Sequence, residues 1–457
     1  MSQFLTTLKS NIKEEFNLLF RQKNINTLSQ ICSNKFDVRI GLTLFIVFFI
    51  LYSVLAFRLA QGDFLFYYNY GFDLDPARFV AMFAGDHSLY PEVFVKGGPK
   101  HPLLYLLRPL AWPFQLAGFD ARTSASLAKA IIGAGTVVLV FSFFRLTRLP
   151  KVESICLTLL FGISSSQLFN AFIIDSYGFA LFFIAFVWCL TPLRMHSPNQ
   201  LIRFRLVVTV MNIGTTVTNG VHSLISEIMI WYQNRPLVSA LNRTLAFFLF
   251  VGGIFFILII LVWNDQLLKI IADPIGAMKN LYWQNPKGEK LGIEHVIISF
   301  FAHSFVSPEF TIIRLPEGVN MHDFRGWYKS TSESLAFILW ISLLITSITM
   351  GLWQKEIRPL ILSLLVVTLF NVFFHLSYQY RGSIYLYSAH SHFPIFAMFL
   401  GSAYFFSRKK TSWRMVFNSY VLLLTLLIGI INVDRAFNFV TLFDNLNPPT
   451  PRLLLEN

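Results

Sequence analysis

The chain has 457 residues, of which 55% are hydrophobic and 13% are charged, and its mean hydropathy is +0.58. So few charges cannot cover the surface of a water-soluble protein of this length, and the composition therefore predicts a chain whose solvent is the lipid bilayer. The net charge is +13. Because the basic residues lie in short clusters between apolar runs, the charge indicates a positive-inside membrane topology and argues against nucleic acid as a partner.

Apolar runs of the length that crosses about 30 Å of hydrocarbon follow one another along the chain. The clear runs are Val38–Ala60, Ser124–Phe144, Val152–Ala171, Ser176–Leu190, Thr244–Val262, Ser334–Trp353, Leu360–Leu376, Tyr387–Phe406 and Val416–Val433. A further run, Leu206–Trp231, is interrupted by Thr215–Gly220, and we interpret it as two short spans that meet at a turn. The sequence therefore predicts an all-α fold, a polytopic transmembrane helix bundle with about ten or eleven spans.

The segment Pro102–Gly118 is apolar but would be only about 25 Å long as a helix. It contains Arg108, whose charge would be costly at the bilayer centre, and two internal prolines, Pro109 and Pro113, which break a helical hydrogen-bond ladder. We therefore expect an external juxtamembrane helix that lies in the membrane interface and does not cross it.

With that segment outside, every short basic loop falls on the side of the N-terminus, which the positive-inside rule places in the cytoplasm. The loops in question begin near Arg145, Arg194, Arg235, Lys355 and Arg408. The predicted organisation is a cytoplasmic segment 1–37, a transmembrane domain 38–433 with external loops 61–123 and 264–333, and an external C-terminal tail 434–457. We expect a multi-pass protein of the cell membrane, with a bacterial plasma membrane favoured.

Acidic and basic residues stand together in the first external loop. Asp73 and Asp75 follow the first span, and Lys100 and His101 come shortly before the interfacial segment. Carboxylates in a partly desolvated site can act as general bases, and nearby cations can hold a phosphate. The alternative is a solvated loop with ordinary charges, and composition alone leaves both interpretations open.

Two further positions lie where predicted spans end on the same side. Asp175 stands between two apolar runs, so it is either a functional ionisable residue or the N-cap of the helix that begins at Ser176, and the two roles are compatible. Asn219 and His222 lie at the Thr215–Gly220 interruption, which either lines a cavity or is a tight turn formed by the glycine.

The last external cluster precedes and begins the Tyr387–Phe406 run. Its tyrosines are typical of an aromatic belt, whereas Arg381, His390 and His392 are harder to explain in that way. The two histidines are two positions apart and do not share a helix face, so we expect no metal site there.

Three motifs together carry a resemblance to a known family. They are DPARF at Asp75–Phe79, KHPLLYLL at Lys100–Leu107, and Asp175 at the outer end of the third span. In their order, spacing and common side they resemble GT-C glycosyltransferases, in particular the family 39 group of protein O-mannosyltransferases and the lipid A aminoarabinose transferase. The chain departs from the family pattern in having a single acid in DPARF, which makes Asp73 a rival of Asp75, and in having His101 where the family has a proline.

The resemblance implies a membrane glycosyltransferase that moves a sugar from a polyprenyl-phosphate donor to a lipid, glycan or protein acceptor by inverting displacement. Asp75 or Asp73 would accept the acceptor's proton, and Asp175 would orient a substrate. The donor phosphate would be bound by Lys100, His101, Arg381 and His390. The resemblance requires neither a metal nor another cofactor.

Two other classes of protein remain open. A secondary transporter would also have many spans and a few buried charges, but it would carry them near the bilayer midplane. A glycan polymerase or ligase would concentrate its site in a large late external loop, and Asn264–Glu333 is such a loop.

Overall fold

The computed structural model describes residues 10–14, 17, 35–62, 64–66, 71–72, 74, 76–84, 101, 103–199, 201–273, 291–314, 320–379 and 383–442. These residues are mostly helical, which confirms the predicted class in its coarse form. In chain order the α-helices are α1 (Lys35–Gln61), α2 (Pro76–Ala84), α3 (Trp112–Leu116), α4 (Ala121–Leu146), α5 (Lys151–Gly162), α6 (Ser165–Phe172), α7 (Ser176–His196), α8 (Ile202–Thr215), α9 (Gly220–Tyr232), α10 (Leu237–Ala272), α11 (Ile293–Ile298), α12 (Thr331–Trp353), α13 (Arg358–Ser377), α14 (Ala389–Ala397), α15 (Leu400–Ser407) and α16 (Thr411–Leu442).

Shorter elements connect these helices. The 3₁₀ helices are Phe64–Phe66, Leu104–Ala111, Val217–Asn219 and Tyr385–Ser388, and a π-helix covers Ser299–His303. Two antiparallel strands, β1 (Thr311–Arg314) and β2 (Asn320–Asp323), pair with Ile312 opposite His322. Because Gly71 also forms a bridge to His322, the chain just after α1 is attached to this hairpin.

Within the described residues, seven helices are long and apolar enough to cross a membrane, and the bent pair α5–α6 makes up to eight. This confirms a multi-pass protein by length and composition, but it corrects the expected ten or eleven spans. The run Leu206–Trp231 forms α8 and α9, of 14 and 13 residues, or about 20 Å each. The run Tyr387–Phe406 is divided between a 3₁₀ turn, α14 and α15, with Pro394 inside α14. The interruption of the first run was predicted from the sequence, whereas a hydropathy window does not detect those of the second.

One end of the bundle, which we call the basic end, is tied together by ion pairs between loops distant in sequence. Asp37 pairs with Arg145 at 3.1 Å, which joins the start of α1 to the end of α4. Glu153 pairs with Arg414 at 2.8 Å, which joins the starts of α5 and α16. The basic loops of the predicted topology therefore meet at one end.

A buried charge cluster completes the basic end. Glu227 of α9 accepts from Arg194 at 3.0 Å and pairs with Arg205 at 3.2 Å. All three side chains are at most 3% exposed. Because Arg194 of α7 and Arg205 of α8 both pair with Glu227 of α9, the cluster holds the end of α7 against α8 and α9.

The break between α5 and α6 bends the chain by 62° without leaving its backbone groups unsatisfied. The Ser165 and Ser166 amides donate to the carbonyls of Phe305 and Ser304. Asn432 of α16 donates to the carbonyl of Ile163 at 2.9 Å. A broken helix within a membrane requires such partners, and here the segment after the π-helix and α16 provide them.

The end away from the basic loops, which we call the opposite end, is held by aromatic rings. Phe72 lies 4.8 Å from the Tyr385 ring and 5.5 Å from the Phe169 ring, centroid to centroid. Phe72 is also in the left-handed region, with φ of 52°, and its amide donates to the carbonyl of His322. These contacts hold the chain after α1 against α6 and the β hairpin.

The segment Pro102–Gly118 consists, where it is described, of the Leu104–Ala111 3₁₀ helix followed by α3. Both helices are far shorter than a membrane span. Its place in the membrane interface stays a prediction. The other boundaries differ modestly from expectation, since α1 begins at Lys35 and α16 continues to Leu442, nine residues beyond the predicted last span.

Candidate functional site

Four of the predicted site residues, Asp73, Asp75, Lys100 and Arg381, lie outside the described residues. The other three predicted site residues, His101, Asp175 and His390, are described, and all lie at the opposite end. Asp175 precedes α7, His101 precedes the Leu104–Ala111 helix, and His390 lies in the first turn of α14.

Asp175 is the N-cap of α7 and is buried, with 2% of its surface exposed. Its Oδ1 accepts hydrogen bonds from the backbone amide and the hydroxyl of Ser176. The capping role weighed from the sequence is therefore confirmed. The cap also places the Asp175 carboxyl group at the positive end of the α7 dipole.

Lys129 of α4, which the sequence interpretation missed, is the cation beside Asp175. Its Nζ donates to the Asp175 carbonyl at 2.9 Å and lies 4.2 Å from the centre of the Phe179 ring. The side chain is fully buried. Lys129 is the only charged residue in the predicted span Ser124–Phe144, and a lone charge in an apolar run is the signal that could have identified it.

The described helix that follows Asp75 in the sequence packs against the helix that begins after Asp175. Phe83 of α2 stacks on Phe179 of α7 with ring centroids 5.1 Å apart. Lys129 Nζ lies 4.2 Å from the centre of the same Phe179 ring. The helix that contains Pro76–Phe79 of DPARF is therefore attached to the part of the bundle that carries Asp175 and Lys129.

Four imidazoles form a second group, which we call the histidine cluster: His101, His222, His375 and His390. His390 is within electrostatic range of the other three. Its Nδ1 donates to Asn219 Oδ1 at 2.7 Å, and its ring lies 5.8 Å from that of Tyr177. Because Tyr177 follows Asp175 by two residues, the cluster adjoins the Lys129–Asp175 pair.

The histidine cluster extends from the opposite end towards the middle of the bundle. Trp188 Nε1 donates to His222 Nδ1 at 3.1 Å. Trp188 is twelve residues beyond the start of α7, or about 18 Å along the helix axis. Asn371 of α13 contacts both His222 Nε2 and the His390 carbonyl at 3.2 Å. The polar groups therefore reach mid-depth.

His101 connects the segment Pro102–Gly118 to the α8–α9 turn. Its Nδ1 lies 2.6 Å from the Thr215 carbonyl, which fixes the proton on that nitrogen. The Leu103 amide donates to the Gly214 carbonyl at 2.8 Å. The KHPLLYLL motif therefore packs on the turn that the sequence marked as an interruption.

His392 is separate from this cluster. Its Nε2 bonds to Ser164 Oγ at 2.7 Å, and its ring lies 4.5 Å from that of Phe305. Among the described residues no group of three or more histidine, cysteine, aspartate or glutamate side chains could hold a metal ion. The predicted independence from metals stays a prediction.

A further acid at the opposite end comes from the late loop 264–333. Asp323 of β2 is 1% exposed, accepts from Ser383 Oγ at 2.7 Å and pairs with Arg325 at 2.9 Å. Burial raises the pKa of Asp323, and Arg325 opposes that rise. Ser383 lies two residues after the predicted phosphate ligand Arg381.

Comparison with known proteins identifies no relative, since no protein-family model matches the chain and no curated protein matches it. The resemblance to GT-C glycosyltransferases is therefore carried by DPARF, KHPLLYLL and Asp175 alone.

Proposed function

We propose that the protein is a membrane glycosyltransferase that moves a sugar from a polyprenyl-phosphate donor to a lipid, glycan or protein acceptor. The observation that supports the proposal best is the convergence of three separate motifs at the opposite end. The chain flanking Asp75 packs beside Asp175 and Lys129, and the KHPLLYLL motif packs on the turn next to His390.

The proposed reaction is a single inverting displacement at the anomeric carbon. Asp75, or Asp73, accepts the proton of the acceptor hydroxyl while that oxygen forms the new glycosidic bond. The bond from the anomeric carbon to the donor phosphate oxygen breaks, and the polyprenyl phosphate leaves with the electron pair. Lys100, His101 and Arg381 stabilise the negative charge of the leaving phosphate, and Asp175 orients a substrate.

We place the opposite end on the non-cytoplasmic side of the membrane, because the loops of the basic end then obey the positive-inside rule. This orientation is tested with the variant Lys100→Cys, which a membrane-impermeant maleimide should label in intact cells. Labelling that requires the cell membrane to be opened would overturn it.

The decisive experiment replaces Asp75 by Asn in full-length protein in nanodiscs supplied with a radiolabelled polyprenyl-phosphate sugar and a membrane-lipid extract as acceptor. Loss of a general base lowers the transfer rate about 10² to 10⁴-fold, whereas donor binding is retained. The matched control is Asp434→Asn, at an exposed position of α16, which leaves the rate unchanged.

The outcomes separate the two rival bases. Undiminished transfer by Asp75→Asn with loss in Asp73→Asn assigns the base to Asp73. Undiminished transfer by both variants removes this loop as the source of the base and overturns the proposed mechanism.

A proton-coupled transporter is the second candidate, because the histidine cluster reaches mid-depth and the break between α5 and α6 is of the kind that lines transporter sites. Proteoliposomes distinguish the two functions. Uptake of a labelled polar solute that depends on an imposed pH gradient, without sugar transfer, would favour the transporter.

A further inference from the structure

The turn between α8 and α9 contains a hydrogen-bond donor that the described protein does not satisfy. Asn219 is fully buried, and its Oδ1 is occupied by His390 Nδ1. Its Nδ2 has no hydrogen-bond partner in the part of the chain that the structure describes. A buried amide without a partner is costly and is kept where a ligand can accept from it.

This donor lies at the N-terminus of α9. Asn219 is the residue before Gly220, the first residue of the 13-residue helix α9, and its side chain does not cap that helix. Asn212 Nδ2 donates to the Asn219 carbonyl at 2.9 Å and to Ser223 Oγ at 3.1 Å. The turn is thereby fixed, with Asn219 immediately before the positive end of the α9 dipole.

The two neighbouring imidazoles are oriented in the same way. His390 donates from Nδ1 to Asn219 Oδ1, and His101 donates from Nδ1 to the Thr215 carbonyl. A ring that holds its Nδ1 proton in this manner takes a second proton only at Nε2 and then becomes a cation. Asp175, the described carboxylate among the predicted site residues, is within electrostatic range of Lys129, whose Nζ donates to the Asp175 backbone carbonyl.

We infer that the turn Thr215–Gly220 is an oxyanion subsite that binds a phosphate group, with Asn219 Nδ2 as a hydrogen-bond donor. The imidazole of His390, which bonds to the same Asn219 side chain, is the second polar group of the subsite. The assignment rests on the proposed function only for the identity of the ligand, which is then the phosphate group of the polyprenyl donor.

The test measures binding and not transfer, using full-length protein in phosphatidylcholine nanodiscs and calorimetric titration with farnesyl phosphate, farnesol and inorganic phosphate. Asn219→Asp is the sharpest variant, because it keeps an oxygen acceptor for His390 and replaces the Nδ2 donor with a second, negatively charged oxygen. The matched control is Asn242→Asp, the same change at a 5% exposed position next to Arg243 at the basic end.

We expect Asn219→Asp to lower the affinity for farnesyl phosphate at least tenfold, whereas the control changes it less than twofold. Farnesol affinity is expected to be the same in wild type and variant. An unchanged farnesyl phosphate affinity in Asn219→Asp, or an equal loss for farnesol, would overturn the subsite. Should the variant fail to fold by its melting profile, Asn219→Ala is measured in the same way, and a loss below threefold overturns the inference.

Inorganic phosphate distinguishes the source of the ligand. Binding of inorganic phosphate as tight as that of farnesyl phosphate, and equally dependent on Asn219, supports the subsite but assigns it to free phosphate. Asn219-dependent farnesyl phosphate binding in a protein that transfers no sugar upholds the subsite and contradicts the proposed function. Transfer activity in a protein whose donor binding does not depend on Asn219 supports the proposed function and contradicts the subsite.

Discussion

The basic end and the opposite end both bury polar side chains, but they satisfy them differently. At the basic end carboxylates meet guanidinium groups, as in the pairs of Glu227 with Arg194 and Arg205. At the opposite end the buried groups are mostly imidazoles, amides and hydroxyls, beside ion pairs such as Asp323 with Arg325, and Lys129 bonds a backbone carbonyl. Among the described residues both ends leave a buried donor atom without a hydrogen-bond partner, Arg243 Nε at the basic end and Asn219 Nδ2 at the opposite end.

The difference indicates which end is built for folding and which for binding. In the Glu227 cluster a single carboxylate faces two buried guanidinium groups, and removing it leaves both charges uncompensated. A network with a spare donor can accept a ligand without breaking an existing bond. The comparison therefore predicts that substitutions at the basic end act mainly on stability, and those at the opposite end mainly on binding and transfer.

The largest effect on stability is expected for Glu227→Gln. This variant removes the carboxylate between Arg194 and Arg205 and leaves two buried cations facing each other. We expect the free energy of unfolding, measured by denaturation in mixed micelles, to fall by about 3–5 kcal/mol.

Glu356→Gln is the matched control, because Glu356 pairs with Arg408 at the same end but both side chains are more than half exposed. We expect no measurable change in its stability, since exposed ion pairs contribute little. Equal losses in the two variants would contradict the view that burial of the charge cluster holds the basic end.

A smaller effect, combined with a loss of transfer, is expected for Gly178→Ala in α7. A Cβ at this position would overlap Lys129 Nζ and the Asn170 carbonyl, so Lys129 must move away from Asp175. We expect a loss of about 1–3 kcal/mol in unfolding free energy, together with a fall in the transfer rate. The measurements are denaturation in mixed micelles and the radiolabel assay.

Gly253→Ala in α10 is the control, because a Cβ there meets nothing within 4 Å. It should leave both stability and transfer unchanged. If Gly178→Ala were to lose stability and retain full transfer, Lys129 would have no part in the site.

The fold was predictable from the sequence wherever an apolar run is continuous. The runs that became α1, α4, α7, α12, α13 and α16 were located to within a few residues at one or both ends, because about twenty apolar residues have few alternatives to a membrane helix. The interruptions at Ser164 and Pro394 were the difficulty, whereas the one at Thr215–Gly220 was predicted. Whether a chain bends there depends on partners such as Asn432 and Ser304, which are distant in sequence.

The candidate site was predictable only in part. Asp175, His101 and His390 were identified because each interrupts an apolar or aromatic segment. Lys129 and Asn371 were missed, because each lies within an apolar run and acquires its role from a residue on another helix. The spare donor of Asn219 could not be seen in the sequence, since it is defined by the absence of a partner in three dimensions.

The smallest expected effect concerns pH and tests whether neutral polar groups at the opposite end must stay neutral. His303 is buried, and its Nε2 donates to the Gly326 carbonyl at 3.0 Å. Burial lowers the pKa of His303 to about 4. Because the pKa falls on folding, the unfolded chain binds more protons, so stability is complete above about pH 6.5 and is lost as the pH falls towards 4.

Between pH 7 and pH 5 the loss attributable to His303 is about 2 kcal/mol, and His303→Gln, which cannot titrate, should remove it. Asp323 acts in the opposite sense, because its raised pKa makes the folded state bind more protons and its contribution declines as the pH rises. The difference between wild type and His303→Gln, measured by denaturation at the two pH values, therefore isolates the histidine. An identical pH dependence in both proteins would mean that His303 can accept a proton in the folded state. The requirement for an uncharged side chain at the opposite end would then not extend to this residue.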